Sequence, residues 1–389
     1  MIQSFQPPAR TLLGPGPSDV APSVSRALAA PTLGHLDPRL LGCMDELRGL
    51  LRPVFGTSHP ATFLVSGTGT AGMEAVLANQ IEPGEVVLVP VHGYFGARIA
   101  EIAARCGADV VRVDGEWGRA SDPERARAAL GGRQPKLVAV VHAETSTGVR
   151  QDLAPWSALA REHGALFVTD TVTSLGCIPI GVDAHHIDGA WSCTQKGLSC
   201  ASGMSPVTFS PRAVERMRAR SRKVQSFYLD LGLLLEYWDG AHVYHHTISS
   251  NLIYGVHEAL RLIHEEGLEA RFARTALVSR AACAGFEALG LELLVPATER
   301  LPQLLAVRVP EGVDDVRVRT RLLQQFDLEI GGGLGALKGK LWRVGLMGHG
   351  ATRRNVLFLL ATLRTCLEGE GFRPKGDGAA AADAVFGGR

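Results

Sequence analysis

No run of about 18 consecutive apolar residues occurs in the 389-residue chain, so no membrane-spanning helix is expected. The opening stretch, MIQSFQPPARTLLGPGPS, lacks the apolar core of a secretory signal, and the closing Gly-Gly-Arg is not a peroxisomal address. Cysteine is sparse: seven residues, at 43, 106, 177, 193, 200, 283 and 366, odd in number and without a CxxC pair. That argues against a disulfide framework and fits a reducing compartment. Neither sign of charge is in excess, with 40 Lys and Arg against 39 Asp and Glu, so nothing implies a polyanionic partner. These absences predict a cytoplasmic protein with neither a membrane nor a nucleic-acid partner.

What is present is enough apolar residue, 46%, for more than one small core, and two domains are expected. Short β-branched runs (63–65, 86–91, 110–113, 137–141, 166–168 and 206–209) alternate with amphipathic stretches such as 97–105 and 155–163. That alternation predicts an α/β fold, with a mostly parallel sheet covered on both faces and ligands bound at the carboxyl ends of its strands. From about residue 250 the order changes. Residues 250–266 and 268–289 read as helices, followed by strand 304–309, helix 316–326, strand 341–344 and helix 354–367. The expected organisation is an N-terminal arm at 1–14, a large domain at 15–266 and a smaller α+β domain at 267–370. A low-complexity tail at 371–389, containing GDGAAAADAVFGG, is expected to be mobile.

Residues 64–75, LVSGTGTAGMEA, place Gly67, Gly69 and Gly72 as Gly-x-Gly-x-x-Gly between a strand and a helix. Such a turn brings backbone N–H groups and the positive end of a helix dipole to an anion. A dinucleotide would require an acid closing the next strand, which instead ends Val89-Pro90-Val91-His92-Gly93. The Gly-Lys-Ser/Thr of a triphosphate site is missing as well. A single phosphate monoester remains, and on this motif alone a purely structural glycine turn stays open.

Asp170 closes the apolar run 165–169, and Lys196 follows a second short apolar stretch, 189–191. In a parallel sheet both would reach one edge. A carboxylate with an amine beside a phosphate cradle suits pyridoxal 5′-phosphate (PLP): the acid keeps the pyridine nitrogen protonated and the lysine forms the imine. Taken singly, the acid is as readily a helix cap and the lysine a solvated surface group. The pairs His185-His186 and His245-His246 have no neighbouring Cys or acidic ligand at metal spacing, so no metal is expected. The basic run 216–223, RMRARSRK, reads as a solvated helical face.

From about residue 10 to 365 the chain resembles the class V, fold-type I aminotransferases, in particular the alanine–glyoxylate and serine–pyruvate type. The resemblance is carried by LLGPGPS (12–18), SGTGTAGMEA (66–75), GYFG (93–96), HAETSTG (142–148), TDTVTS (169–174), CTQKGLS (193–199), VYHHT (243–247) and GGGLGALKGKLWRVGLMG (331–348). It implies a seven-stranded type of large-domain sheet and PLP as cofactor. Lys196 would be the Schiff-base lysine and Asp170 the partner of the pyridine nitrogen. Thr68, Gly69, Thr70 and Gln195 would bind the phosphate, Phe95 and Val172 would flank the ring, and Thr145 would contact the ring hydroxyl. Tyr244 and Thr247 would reach the cofactor of a neighbouring subunit, which implies a homodimer with shared sites. Arg343 would hold the substrate carboxylate, a role its planar fork suits independently.

The implied reaction moves an amino group from a small amino acid, alanine or serine, to a 2-oxo acid such as glyoxylate or pyruvate. The chain departs from the family pattern at Cys200-Ala201-Ser202-Gly203 and at Ile248-Ser249-Ser250, where relatives carry prolines. Those departures leave the amino donor open. Other class V chemistry stands as the alternative, either a lyase or desulfurase or a transaminase for a specialised biosynthetic substrate. Phe95, where desulfurases place histidine, argues against the desulfurase. A nicotinamide-dependent oxidoreductase is disfavoured by the missing ribose acid.

Overall fold

The computed structural model describes residues 2–387. Seven strands form the main sheet: β1 (Ala61–Ser66), β2 (Val86–Val91), β3 (Asp109–Asp114), β4 (Leu137–Val141), β5 (Leu166–Asp170), β6 (Gly189–Trp191) and β7 (Met204–Phe209). Their spatial order is β1-β7-β6-β5-β4-β2-β3, parallel except for β7, which is antiparallel to both neighbours. The twelve residues that link β6 to β7 contain no helix and return the chain antiparallel. All five residues of β4 and all five of β5 are buried, as a sheet covered on both faces requires. The expected α/β class and mostly parallel sheet are what the chain adopts.

Helix α1 (Gly69–Gln80) follows β1, and α2 (Tyr94–Arg105) follows β2. Two glycines set the entry to α1. Gly67 has φ of 143°, where a side chain would be strained. At Gly72 an added Cβ would lie 1.9 Å from Ser205 Oγ, so glycine lets the helix lie directly on β7. The carboxyl ends of β1, β5 and β6 all open onto one edge, which carries Thr68, Asp170 and Lys196 together.

Helix α3 (Ser250–Glu266) is capped by the Ser249 hydroxyl, which accepts the Leu252 N–H at 3.4 Å. That capping gives one of the departures from the family pattern a local structural use. Gly267, at φ 82°, separates α3 from α4 (Leu268–Leu289). A second, antiparallel sheet of order β8-β10-β9 comprises β8 (Leu304–Arg308), β9 (Gly331–Gly332) and β10 (Leu341–Gly345). With α5 (Asp315–Phe326) and α6 (Arg353–Gly369) it builds a second apolar cluster that includes Phe286, Leu322, Trp342 and Leu363. The residues expected to form an N-terminal arm join this cluster: Thr11–Leu12 pair in parallel with Leu328–Glu329, and Leu13 is fully buried.

Two expectations require correction. The tail was predicted to be mobile from residue 371, but Gly378–Gly387 form a helix, α7, packed on α4 and α6. Alanine-rich sequence has high helix propensity, and burying Ala382 in the second cluster supplies the packing that a low-complexity reading overlooks. Glycines at the crossing let the backbones approach: a Cβ on Gly285 would sit 2.8 Å from the Gly378 carbonyl oxygen. Gly388 and Arg389 lie outside the described residues. The basic run at 216–223 is only partly solvated. Arg216 pairs with Glu85 at 2.6 Å, and Arg220 donates to the carbonyls of Asn79 and Ile81, closing the carboxyl end of α1.

Candidate active site

A cavity of about 390 Å³ lies over the carboxyl ends of the strands. It is lined by Thr68, Gly69, Thr70, Phe95, Thr145, Asp170, Val172, Gln195, Lys196 and Arg343. Ten positions scattered over the chain therefore converge, as expected. Tyr244 and Thr247 do not line this cavity. Tyr244 is exposed, with its hydroxyl 3.5 Å from Thr247 Oγ1.

At one end is the first turn of α1. Thr68 occupies the N-cap position but makes no side-chain cap, and its hydroxyl has no hydrogen-bond partner among the described residues. The earliest helical bond is donated by Ala71 to the Thr68 carbonyl, which leaves the N–H groups of Gly69 and Thr70 without a partner inside the helix. The nearby Gln195 Oε1 is buried and unpartnered.

On the cavity floor, Asp170 is fully buried and accepts the Val172 N–H at 2.8 Å. Burial pushes its carboxyl up to about 7, against the lowering effect of that N–H. Among the described residues it has no cation within ion-pair distance. Lys196, 7% exposed, donates to the Pro15 carbonyl at 2.8 Å, Thr173 Oγ1 at 3.1 Å and Thr145 Oγ1 at 3.3 Å. Burial lowers its pKa, which raises the share of free amine. Its loop is held firmly: Ser18 Oγ donates to the Lys196 carbonyl at 2.7 Å.

Arg343 enters from β10, the central strand of the second sheet. It donates through Nε to the Gly332 carbonyl at 2.7 Å and through one terminal nitrogen to the Thr145 carbonyl at 3.2 Å. The side chain lines the cavity, and burial lowers its pKa to about 10. An anionic partner would relieve that desolvation.

The sequence reading did not single out several residues that shape this site. Glu144 is fully buried at the amino end of α2. It accepts the N–H groups of Phe95 and Gly96 at 3.2 Å and the Ser146 hydroxyl at 2.6 Å, fixing the backbone under Phe95. An acid inside the apolar-flanked block HAETSTG was the available signal, since a buried carboxylate must be paired or capped. Pro15 contributes a carbonyl and Thr173 a hydroxyl to Lys196, contacts that no spacing along the chain foreshadows.

These features fit PLP. A buried carboxylate without a cation would meet a ring N–H⁺, and two free N–H groups with two hydroxyls would meet a phosphate. The aminotransferase class V family model matches residues 24–344. The chain belongs to the class V aminotransferases. An alanine–glyoxylate aminotransferase from Nostoc sp. shares 48% identity with a TM-score of 0.92, covering 94% of this chain and 97% of its own. A ureidoglycine–glyoxylate aminotransferase from Bacillus subtilis shares 40% with a TM-score of 0.96, covering 99% and 100%. The alanine–glyoxylate aminotransferase of Drosophila melanogaster is 38% identical over 93% of each chain. This class V aminotransferase is accordingly a fold-type I, PLP-dependent enzyme that moves an amino group between an amino acid and a 2-oxo acid. No helix among its described residues is long and apolar enough to cross a membrane.

Proposed function

We propose that this aminotransferase passes the amino group of a small amino acid, alanine or serine, to a short 2-oxo acid, with glyoxylate as the favoured acceptor and pyruvate the next. The observation that carries the reading is that Lys196 and Arg343 line one small cavity together. A buried amine and a guanidinium suited to one carboxylate both line this cavity, and both are hydrogen-bonded to Thr145. Glyoxylate is favoured because it recurs in the names of similar enzymes from bacteria and animals.

PLP, when bound, supplies an aldehyde that takes up the amino group and a ring that accepts the electron pair left at Cα. The chain's residues do the rest. Lys196 would anchor the cofactor covalently, and its Nζ, when free, would be the base that takes the proton from the substrate Cα. The hydroxyls of Thr145 and Thr173 and the Pro15 carbonyl keep that nitrogen in reach. Asp170 would keep the ring nitrogen protonated. Thr68, Gly69, Thr70 and Gln195 would hold the phosphate, Phe95 and Val172 would flank the ring, and Thr145 would meet its hydroxyl. Arg343 grips the substrate carboxylate and so sets which Cα bond faces Lys196.

We further propose a cytoplasmic homodimer in which Tyr244 and Thr247 serve the other subunit's site. An exposed aromatic patch of Phe227, Tyr228 and Tyr244 supports pairing with a second copy, and seven free cysteines support a reducing compartment. A second donor, (S)-ureidoglycine, is favoured by the 39% identity with the Bacillus subtilis transaminase of that name. Mixing the enzyme with alanine, serine and ureidoglycine in turn, and following loss of the yellow absorbance, ranks the donors. Glyoxylate, pyruvate and 2-oxoglutarate then compete as acceptors. Rapid bleaching by alanine or serine with glyoxylate as best acceptor is expected; bleaching only by a dicarboxylic donor would sink the reading.

A further inference from the structure

Arg98 lines the active-site cavity from the second turn of α2. Its guanidinium lies 4.9 Å from the Phe95 ring centroid and 5.3 Å from that of Tyr94. Those rings are packed edge to face, 5.6 Å apart. From this seat it donates to Thr70 Oγ1 at 3.2 Å. Among the described residues it forms no ion pair.

The placement is unfavourable unless an anion joins it. Thr70 lies in the first turn of α1, where the helix dipole presents its positive end, and a cation there is repelled. The one hydrogen bond it makes also has a direction. A threonine hydroxyl can accept on its lone pairs but gives only one hydrogen. With the guanidinium donating into Oγ1, the hydroxyl's own hydrogen remains to be given to something else. No other partner of Thr70 Oγ1 is found among the described residues.

We propose that Arg98 is the positioning residue of the phosphate end of the site, acting through Thr70. It polarises the Thr70 hydroxyl as a donor to the cofactor phosphate, adds positive charge beside that dianion, and pins the ring of Phe95 with the same guanidinium. The proposal rests on the reading of this helix terminus as the phosphate cradle, and it adds a group outside the four residues assigned to phosphate above. The free end of the α1 dipole, the unpaired cation and the directed hydroxyl all call for the same ligand chemistry, a phosphate monoester.

The test uses apoenzyme and two ligands that cannot bond covalently to Lys196, pyridoxamine 5′-phosphate and pyridoxamine, with dissociation constants read from tryptophan fluorescence. Unsubstituted enzyme prefers the phosphorylated ligand; no preference would overturn the cradle reading itself. Arg98→Met is expected to weaken pyridoxamine 5′-phosphate by about 10- to 100-fold while pyridoxamine shifts by about twofold or less. In a Thr70→Ala background the same change is expected to cost far less, because its target is gone. Should Arg98→Met fail to fold, Arg98→Gln, which keeps a donor but not the charge, carries the same expectations. An unchanged preference in the Arg98 variant, equal losses for both ligands, or full additivity with Thr70→Ala would each overturn the proposal while leaving the cradle reading intact.

Discussion

The Arg271 guanidinium, in the first turn of α4, donates to the carbonyl of Gly197 at 2.6 Å, the residue directly after Lys196. A second N–H goes to the Gly176 carbonyl at 2.8 Å and a third to Glu266, also at 2.8 Å. Glu266 in turn holds Arg274, whose guanidinium donates to the carbonyls of Gly348 and Ala351 beyond β10. One carboxylate thus ties the loop bearing Lys196 to the turn that follows the strand bearing Arg343.

Arg271→Met should therefore destabilise the enzyme by about 2–4 kcal/mol, because two buried carbonyls lose their donor. Urea unfolding measures this. Arg271→Lys is expected to recover only part of the loss, since an ammonium lacks the planar fork that spans three acceptors. A change below about 0.5 kcal/mol for the Met variant would mean that water replaces the guanidinium.

Lys196→Ala is expected to abolish both the yellow absorbance and turnover while leaving the fold intact by circular dichroism. Retained turnover would remove Lys196 from its assigned role.

Asp170 makes the apoenzyme sensitive to pH. Its folded-state pKa of about 7 lies above the ordinary 3.8, so the folded protein binds the proton more tightly. The resulting stability is present at low pH and is lost as pH rises from about 4 to about 7, by at most about 4 kcal/mol. His142, a base pushed down to about 3 by burial, has the opposite sign and costs stability as pH falls below 6.5. Subtracting the apo profile of Asp170→Asn from that of the parent isolates the acid. The parent's thermal midpoint is expected to fall relative to that of Asp170→Asn as pH rises from about 4 to about 7; parallel profiles would contradict the buried, unpaired acid.

Arg343→Lys should raise KM for both substrates and lower kcat/KM by about 10- to 100-fold, because a point charge replaces a fork. Cofactor affinity should not change if Arg343 serves the substrate carboxylate as proposed. Loss of cofactor with normal KM in the surviving holoenzyme would reassign Arg343 to the cofactor.

Deleting residues 378–389 should lower stability by a few kcal/mol, on the order of two buried side chains, through loss of α7 from α4 and α6. Gly285→Ala should do likewise, as its Cβ would meet Leu360 Cδ1 at 2.2 Å and the Gly378 carbonyl at 2.8 Å. A truncated enzyme with an unchanged melting midpoint would leave the tail without a structural role.

Chain order by itself determined a great deal. Apolar runs in a sheet covered on both faces have no choice but to be continuous, so 137–141 and 166–168 were legible as strands, with Asp170 and Lys196 at their carboxyl edge. The segments 250–266 and 268–289 were likewise legible as helices before any packing was known. The family blocks carried the ten cavity residues in the right order. Tertiary structure alone decided the rest. Glu144 under Phe95, Pro15 against Lys196 and Arg98 on Thr70 are pairings between distant segments, set by how sheets and helices pack rather than by any local spacing. The tail shows the same limit from the other side: its composition is ambiguous in isolation, and only a groove on α4 and α6 to receive Ala382 makes the helix worth ordering.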